Sequence, residues 1–190
     1  MKIFQRHILK FLLEKAAKRN LAVHPQIICL AHDSISRKIF IDGLFEKREL
    51  YALRRFLTSN LDRLSTCIDV GANIGNHTLF FSTIFEQVVS FEPNLKTFVI
   101  LNLNSQLVSN VKVVNAGLSD SKALLGAIMD PLNLGSTRIS ESSSTNTKFK
   151  VFPLDEYIED NRYEKIDFIK LDVEGHELRA LKGAVGTLIK

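Results

Sequence analysis

The chain has no tryptophan, two cysteines and four prolines among its 190 residues. Two cysteines, Cys29 and Cys67, cannot build a disulfide framework, so a small stapled scaffold is excluded and a reducing, cytoplasmic setting is expected. No apolar run reaches the roughly 18 residues that a membrane-spanning helix needs. A cleavable leader is not expected, because charges interrupt the first apolar stretch and no small-residue cleavage site follows. Acids are scarce at the start: Lys2, Arg6, Lys10, Lys15, Lys18 and Arg19 face only Glu14, and they supply much of the net charge of +4. Nucleic-acid binding would need a basic stripe interleaved with aromatic platforms, so no nucleic acid is expected. Also missing is a G-x-x-x-x-G-K-[ST] loop, which argues against a nucleoside triphosphate. What is present is ordinary for a globular protein: 45% hydrophobic and 24% charged residues, enough for one domain with a sizeable core.

The most informative segment is Asp69-Val-Gly-Ala-Asn-Ile-Gly-Asn-His-Thr78. Apolar residues precede it (Cys67, Ile68) and follow it (Leu79, Phe80, Phe81), so a strand ends, the chain turns on Gly71, and a helix begins near Gly75. Glycine suits a turn that needs positive φ or close approach of another group. A second apolar run, Val88 to Phe91, ends in Glu92. A glycine turn followed by an acid about twenty residues later is how open α/β sheets hold a nucleoside, with the carboxylate on the ribose hydroxyls. A dinucleotide site would need G-x-G-x-x-G, and here Gly71 and Gly75 are separated by Ala72, Asn73 and Ile74. S-adenosylmethionine remains, since it has a ribose and an amino-acid tail but no phosphate.

Five blocks carry a more specific likeness: CIDVGANIGNHT, SFEPN, NAGLSD (115–120), FPLDEYI (152–158) and IDFIKLDVEGHELRALKGA (166–184). In order and rough spacing, this set over residues 40–190 resembles the FkbM-type methyltransferases. The resemblance implies a class I, Rossmann-like parallel α/β sheet with flanking helices. It also implies S-adenosylmethionine as cofactor and O-methylation of a hydroxyl on a sugar or secondary metabolite, so that the partner is a small-molecule or glycan hydroxyl acceptor. Carried onto this chain, the cofactor residues are Glu46 in the lead-in segment, Asp69, Gly71, Ala72, Asn73, Gly75, Asn76, Thr78, Glu92, Pro93, Ser119 and Asp172.

Methyl transfer from a sulfonium is an in-line displacement, so the protein mainly supplies position and excludes water. An alcohol must lose a proton as the methyl arrives, and a carboxylate or imidazole in reach can take it. Asp172, Glu174 and His176, at the end of the last strand, are the candidates, with no choice among them. Side-chain alternation predicts that Lys170, Asp172 and Glu174 share one side. The plainer roles are that Glu174 and Glu177 cap the next helix and Lys170 pairs with a carboxylate. The same acids and His176 could hold a divalent metal, which is not favoured.

Residues 1–60 read as an N-terminal helix, a short hairpin and a lead-in helix, and residues 61–190 as the cofactor-binding domain. Residues 3–19 are expected to form an amphipathic helix with Phe4, Ile8, Phe11, Leu12 and Ala16 on one face, packed on the domain or on a partner, weak peripheral membrane contact being the lesser alternative. Short strands are expected at 26–30 and 38–42, and four strand–helix units follow, with strands near 66–70, 87–92, 111–116 and 166–172. Pro93 is placed in the first turn of a helix. Residues 130–148, rich in Ser, Thr and Asn, read as a loop, either a lid or disordered. A class I sheet normally has seven strands, and the ones expected after 166–172 are lacking, so the domain reads as incomplete. The fourth strand would be an exposed edge, which a second copy in a homo-oligomer could cover. The alternative function is therefore a cofactor-binding but catalytically inactive module.

Overall fold

The computed structural model describes residues 2–31, 33–130, 133–140 and 147–189. Three helices come first: α1 (Lys2–Leu21), α2 (Ser34–Asp42) and α3 (Lys47–Asn60). Strand–helix units follow: β1 (Thr66–Val70), α4 (Asn76–Ser82), β2 (Gln87–Phe91), α5 (Leu95–Ser105) and β3 (Val111–Val114). Next come β4 (Gly117–Leu118), β5 (Ala123–Asp130), β6 (Asn133–Ser140) and β7 (Lys148–Phe152). The last elements are α6 (Leu154–Asp160), β8 (Phe168–Leu171), α7 (Glu177–Lys182) and α8 (Val185–Leu188).

The main sheet is entirely parallel in the order β3-β2-β1-β8. Its central strand β1 is buried along its whole length, as expected of a parallel strand covered on both faces. Side-chain alternation divides the core in two. Cys67 and Val88 pack with Leu50, Leu57, Phe80, Phe81 and Phe85 on the α3/α4 face. Ile68, Val70, Val89 and Phe91 pack with Phe152, Leu154, Ile158 and Ala180 on the α6/α7 face. The chain is thus a Rossmann-like α/β sheet of the class I type, with its crevice at the carboxyl ends of the strands. Among the described residues β8 pairs with β1 alone.

Several expectations are corrected. Among the described residues of 26–42 no hairpin forms: residues 34–42 make α2, started by Asp33, whose side chain accepts from Ser36 N, and stopped by Gly43 at φ 81°. The apolar residues there satisfy a helix once both caps are present. Residues 130–148 are not simply a loop, because β5 and β6 form an antiparallel pair and β7 joins them in a second sheet ordered β4-β7-β5-β6. Residues 131–132 and 141–146 of that stretch lie outside the described residues. Pro93 precedes α5 rather than entering it, since Asn94 is the cap and accepts from Lys96 N at 3.1 Å. Helix α1 forms, and Phe4, Ile8, Phe11 and Leu12 are exposed on the single chain rather than packed on the domain.

Two buried asparagines bind the N-terminal segments to the sheet. Asn76 accepts from Phe45 N (3.0 Å) and donates to Phe45 O (3.1 Å). Asn104 does the same for Ile28, at 2.6 and 3.0 Å, and also donates to Ile74 O at 2.7 Å. Each amide matches the donor–acceptor pair of one residue, as a neighbouring strand would.

Candidate active site

The glycine turn lies where β1 meets the crevice. Gly71 sits at φ +76°, and a Cβ there would fall 1.8 Å from the carbonyl oxygen of Asp172. Only glycine allows the end of β8 to pass so close. The amides of Gly71 and Ala72 both donate to Phe91 O at 3.0 Å. Asn73 follows in the left-handed region at φ 52°, and its amide donates to Glu92 Oε2 at 2.8 Å. Gly75, at φ 96°, then opens α4. The amides of Gly71, Ala72 and Asn73 are thus taken up by β2 and its terminal carboxylate. Contacts from these three residues to a ligand therefore fall to carbonyls, side chains and the Glu92 carboxylate.

Glu92 closes the junction from the other side. Its Oε1 accepts from Asn94 N at 2.8 Å, so each carboxylate oxygen holds one backbone amide. The Thr97 side chain also hydrogen-bonds this carboxylate, which leaves part of its acceptor capacity for a further donor. Burial pushes this carboxyl upward from the ordinary glutamate value, opposed by the amides of Asn94 and Asn73. A buried acid kept beside a turn, with spare acceptor capacity at a sheet's carboxyl edge, fits a pair of ribose hydroxyls. Pro93 fixes the backbone between Glu92 and Asn94, and Asn115 Nδ2 donates to Glu92 O at 2.9 Å.

Behind the turn runs a buried polar chain. Asp69 and Lys170 are register partners across β1 and β8, as are Asp69 and Ser90 across β1 and β2. Thr78, from α4, donates to Asp69 Oδ2 at 2.7 Å and lies 2.9 Å from Ser90 Oγ. Lys170 Nζ stands 3.3 Å from Asp69 Oδ1 and 3.7 Å from Asp172 Oδ2. It also donates to Gly71 O at 3.0 Å and Val70 O at 3.3 Å. The plainer expectation, that Lys170 pairs with a carboxylate, describes this arrangement. On the same side His77 Nε2 is 3.1 Å from Glu46 Oε2, with Glu46 in the left-handed region at φ 54°. Burial pushes the His77 imidazole downward, while Asp69, Glu46 and Asp172 pull it up and Lys170 adds to the lowering.

The residues put forward as proton acceptors are not brought together. β8 ends at Leu171, and the chain turns through Glu174 at φ 51° and Gly175 at φ 95°. Strand alternation stops there, so the shared side extends over Lys170 and Asp172 but is not continued by strand geometry to Glu174. Asp172 is exposed beside Lys170, and Glu174 is exposed in the turn. His176 is buried instead and meets Ser119 Oγ at 3.0 Å. Glu177 Oε1 accepts from Gly175 N at 3.0 Å, which holds its carboxyl below the ordinary range. Among the described residues no group of three or more His, Cys, Asp or Glu is arranged to hold a metal ion. None of their helices is long and apolar enough to cross a membrane.

Sequence reasoning missed His77, Asn94 and the central place of Lys170. Lys170 could have been found by aligning the two strand ends, since parallel register sets it against Asp69. His77 offers no such signal, because its contact to Glu46 depends on how α3 is docked.

Comparison with known proteins adds to this geometry. A family model described as the methyltransferase FkbM domain matches residues 69–190. The chain is 33% identical over 135 residues to the hexuronic acid methyltransferase AglP of Haloferax volcanii, covering 70% of this chain and 56% of that protein. It is 28% identical over 190 residues to methyltransferase sdnD of Sordaria araneosa, covering 81% of this chain and 72% of that one. Against a solved SAM-dependent methyltransferase of Leishmania major it reaches 15% identity and a TM-score of 0.34, over 63% of this chain and 45% of the other. The chain therefore spans little more than half the length of the first of these relatives.

Proposed function

The chain belongs to the FkbM methyltransferase family, and from that premise we propose that it binds S-adenosylmethionine and methylates a hydroxyl group on a sugar or secondary metabolite. The observation that carries this reading is the junction of Asn73 N with Glu92 Oε2 at 2.8 Å, which sets a ribose-type acceptor against the glycine turn. When bound, the cofactor would supply an electrophilic methyl group on a sulfonium, with a neutral thioether as the leaving group.

The chain's own residues bind, orient and accept the proton. Glu92 receives the ribose hydroxyls, with Asn73, Pro93 and Asn94 fixing its carboxylate. Gly71, Ala72 and Gly75 give the close backbone surface for the amino-acid tail, Glu46 closes over it from the lead-in segment, and Asn76, at the start of α4, holds that segment in place through Phe45. Asp69 and Thr78 hold the turn from beneath. Ser119 stands with the 115–120 segment as the adenine wall. Of the three proton acceptors, Asp172 is the best supported, because it is exposed and adjoins Lys170 and the turn. Glu174 is a second carboxylate within the same exposed loop, and His176 is turned toward Ser119. Both cysteines are free thiols.

Calorimetric titration of the folded chain with S-adenosylhomocysteine tests the binding reading: saturable heat is expected, and none would refute it. Methyl transfer to a panel of neutral and uronate glycans then tests the acceptor class. A second reading is binding without turnover. It predicts the same heat and no transfer to any hydroxyl.

A further inference from the structure

The glycine turn is ringed by acids. Asp69 is fully buried beneath it, Glu92 is buried at its side, Glu46 stands at the mouth with a half-exposed carboxylate, and Asp172 is 65% exposed at the end of β8. One ammonium sits among them. The Lys170 side chain is only 15% exposed, and its Nζ touches two of these carboxylates and two carbonyls at the turn, at 3.0 to 3.7 Å. A lysine so held cannot swing its charge into solvent, as exposed lysines do. Its charge is therefore a fixed part of the crevice. The imidazole beside it adds little, since burial keeps His77 neutral near neutral pH.

A crevice with several carboxylates and one ammonium treats a cation and a neutral molecule differently. A methyl donor of the sulfonium type carries a positive charge that its thioether product lacks. We infer that Lys170 and Asp172 together set how strongly this chain prefers the cationic donor to its uncharged product. The inference rests on the methyl-donor reading above. Lys170 weakens the preference by repelling the sulfonium, and Asp172 strengthens it. Both act through charge in a partly buried site, where a unit charge roughly 10 Å away at an effective dielectric of about 20 shifts binding by about tenfold.

The test compares affinities for S-adenosylmethionine, S-adenosylhomocysteine and sinefungin, whose amine adds a cation near the sulfonium position, by calorimetry on the full chain. The readout is the ratio of product to donor dissociation constants. Lys170→Gln is expected to raise that ratio about tenfold, Asp172→Asn to lower it by a similar factor, and Lys170→Arg to leave it unchanged. Sinefungin should follow the donor. A merely structural role would weaken all three ligands together and leave the ratio fixed. If Lys170→Gln fails to fold because Asp69 loses its partner, Asp172→Asn, on an exposed side chain, still decides. Ratios that stay within about twofold in the folded variants overturn the inference while leaving cofactor binding intact. If wild type binds none of the three ligands, the methyl-donor reading itself fails.

Discussion

Replacing Glu92 by glutamine probes the junction most sharply, because it keeps size and removes one acceptor oxygen and the charge. Each Glu92 oxygen holds one backbone amide at 2.8 Å, from Asn73 and from Asn94. Glutamine has a single acceptor oxygen, so one of those amides would face an NH2 group, at a cost of about 1–3 kcal/mol. Opposing this, burial holds the Glu92 carboxyl above the ordinary value of 4.5, so ionised Glu92 carries a burden that glutamine lacks. For an acid with a raised folded pKa, the stabilising contribution is complete below 4.5 and is lost as pH climbs through the folded value. Glu92→Gln should therefore be most destabilising, relative to wild type, below pH 4.5, and the gap should narrow toward neutral pH. Binding should respond differently. Hydrogen bonds from ribose hydroxyls to a carboxylate contribute about 1.5–3 kcal/mol each, so losing one weakens S-adenosylhomocysteine by roughly 10- to 150-fold. Urea denaturation across pH and calorimetry at pH 7.5 provide the two readouts. A folded variant that binds within about threefold of wild type would refute the role given to Glu92.

Gly71→Ala should lose roughly 2–4 kcal/mol of stability and all cofactor binding, because its Cβ meets the Asp172 carbonyl at 1.8 Å in a left-handed backbone. Urea midpoints check the first effect and calorimetry the second, and an alanine variant of wild-type stability would contradict the geometry. Asn104→Ala leaves the Ile28 amide and two carbonyls without partners, so about 2–4 kcal/mol of destabilisation is expected. Limited proteolysis should then cut earlier around residues 22–33. His77 has a folded pKa below its ordinary 6.5, so its stabilising contribution is present above 6.5 and is lost as pH falls through the folded value. His77→Gln should flatten the decline of the melting temperature below pH 6.5, and an unchanged profile would place its titration elsewhere.

The parts of the fold legible in the sequence were those where local pattern and tertiary role coincide. The run into Asp69, the glycine spacing and the acid at Glu92 each state a backbone requirement, and β1, β2 and the turn form as expected. The family blocks extended this to β8 and α7. Residues 26–42 misled because Ile27, Ile28 and Cys29, then Ile39, Phe40 and Ile41, look like two short strands. Asp33 and Gly43 were the better signals, since a cap and a left-handed stop delimit a helix whatever the residues between. β6 could not be read from Asn133–Ser140 itself, whose Gly, Ser and Thr have little to bury; pairing with β5 makes it a strand. In the candidate site, the separation of His176 from Asp172 follows from Glu174 adopting a left-handed conformation, which no strand-alternation rule contains. Lys170 was visible as a charged residue but not as a hub, because three of its four partners, Asp69 to Gly71, lie about 100 residues away in the chain.

A crystal structure of the chain with S-adenosylhomocysteine confronts the account most directly. The ribose hydroxyls should lie within hydrogen-bond distance of Glu92 Oε1 and Oε2, with the amino-acid tail over Gly71 and toward Glu46. Ligand density at any other place, or a Glu92 carboxylate still enclosed by protein alone while ligand is bound, would contradict it.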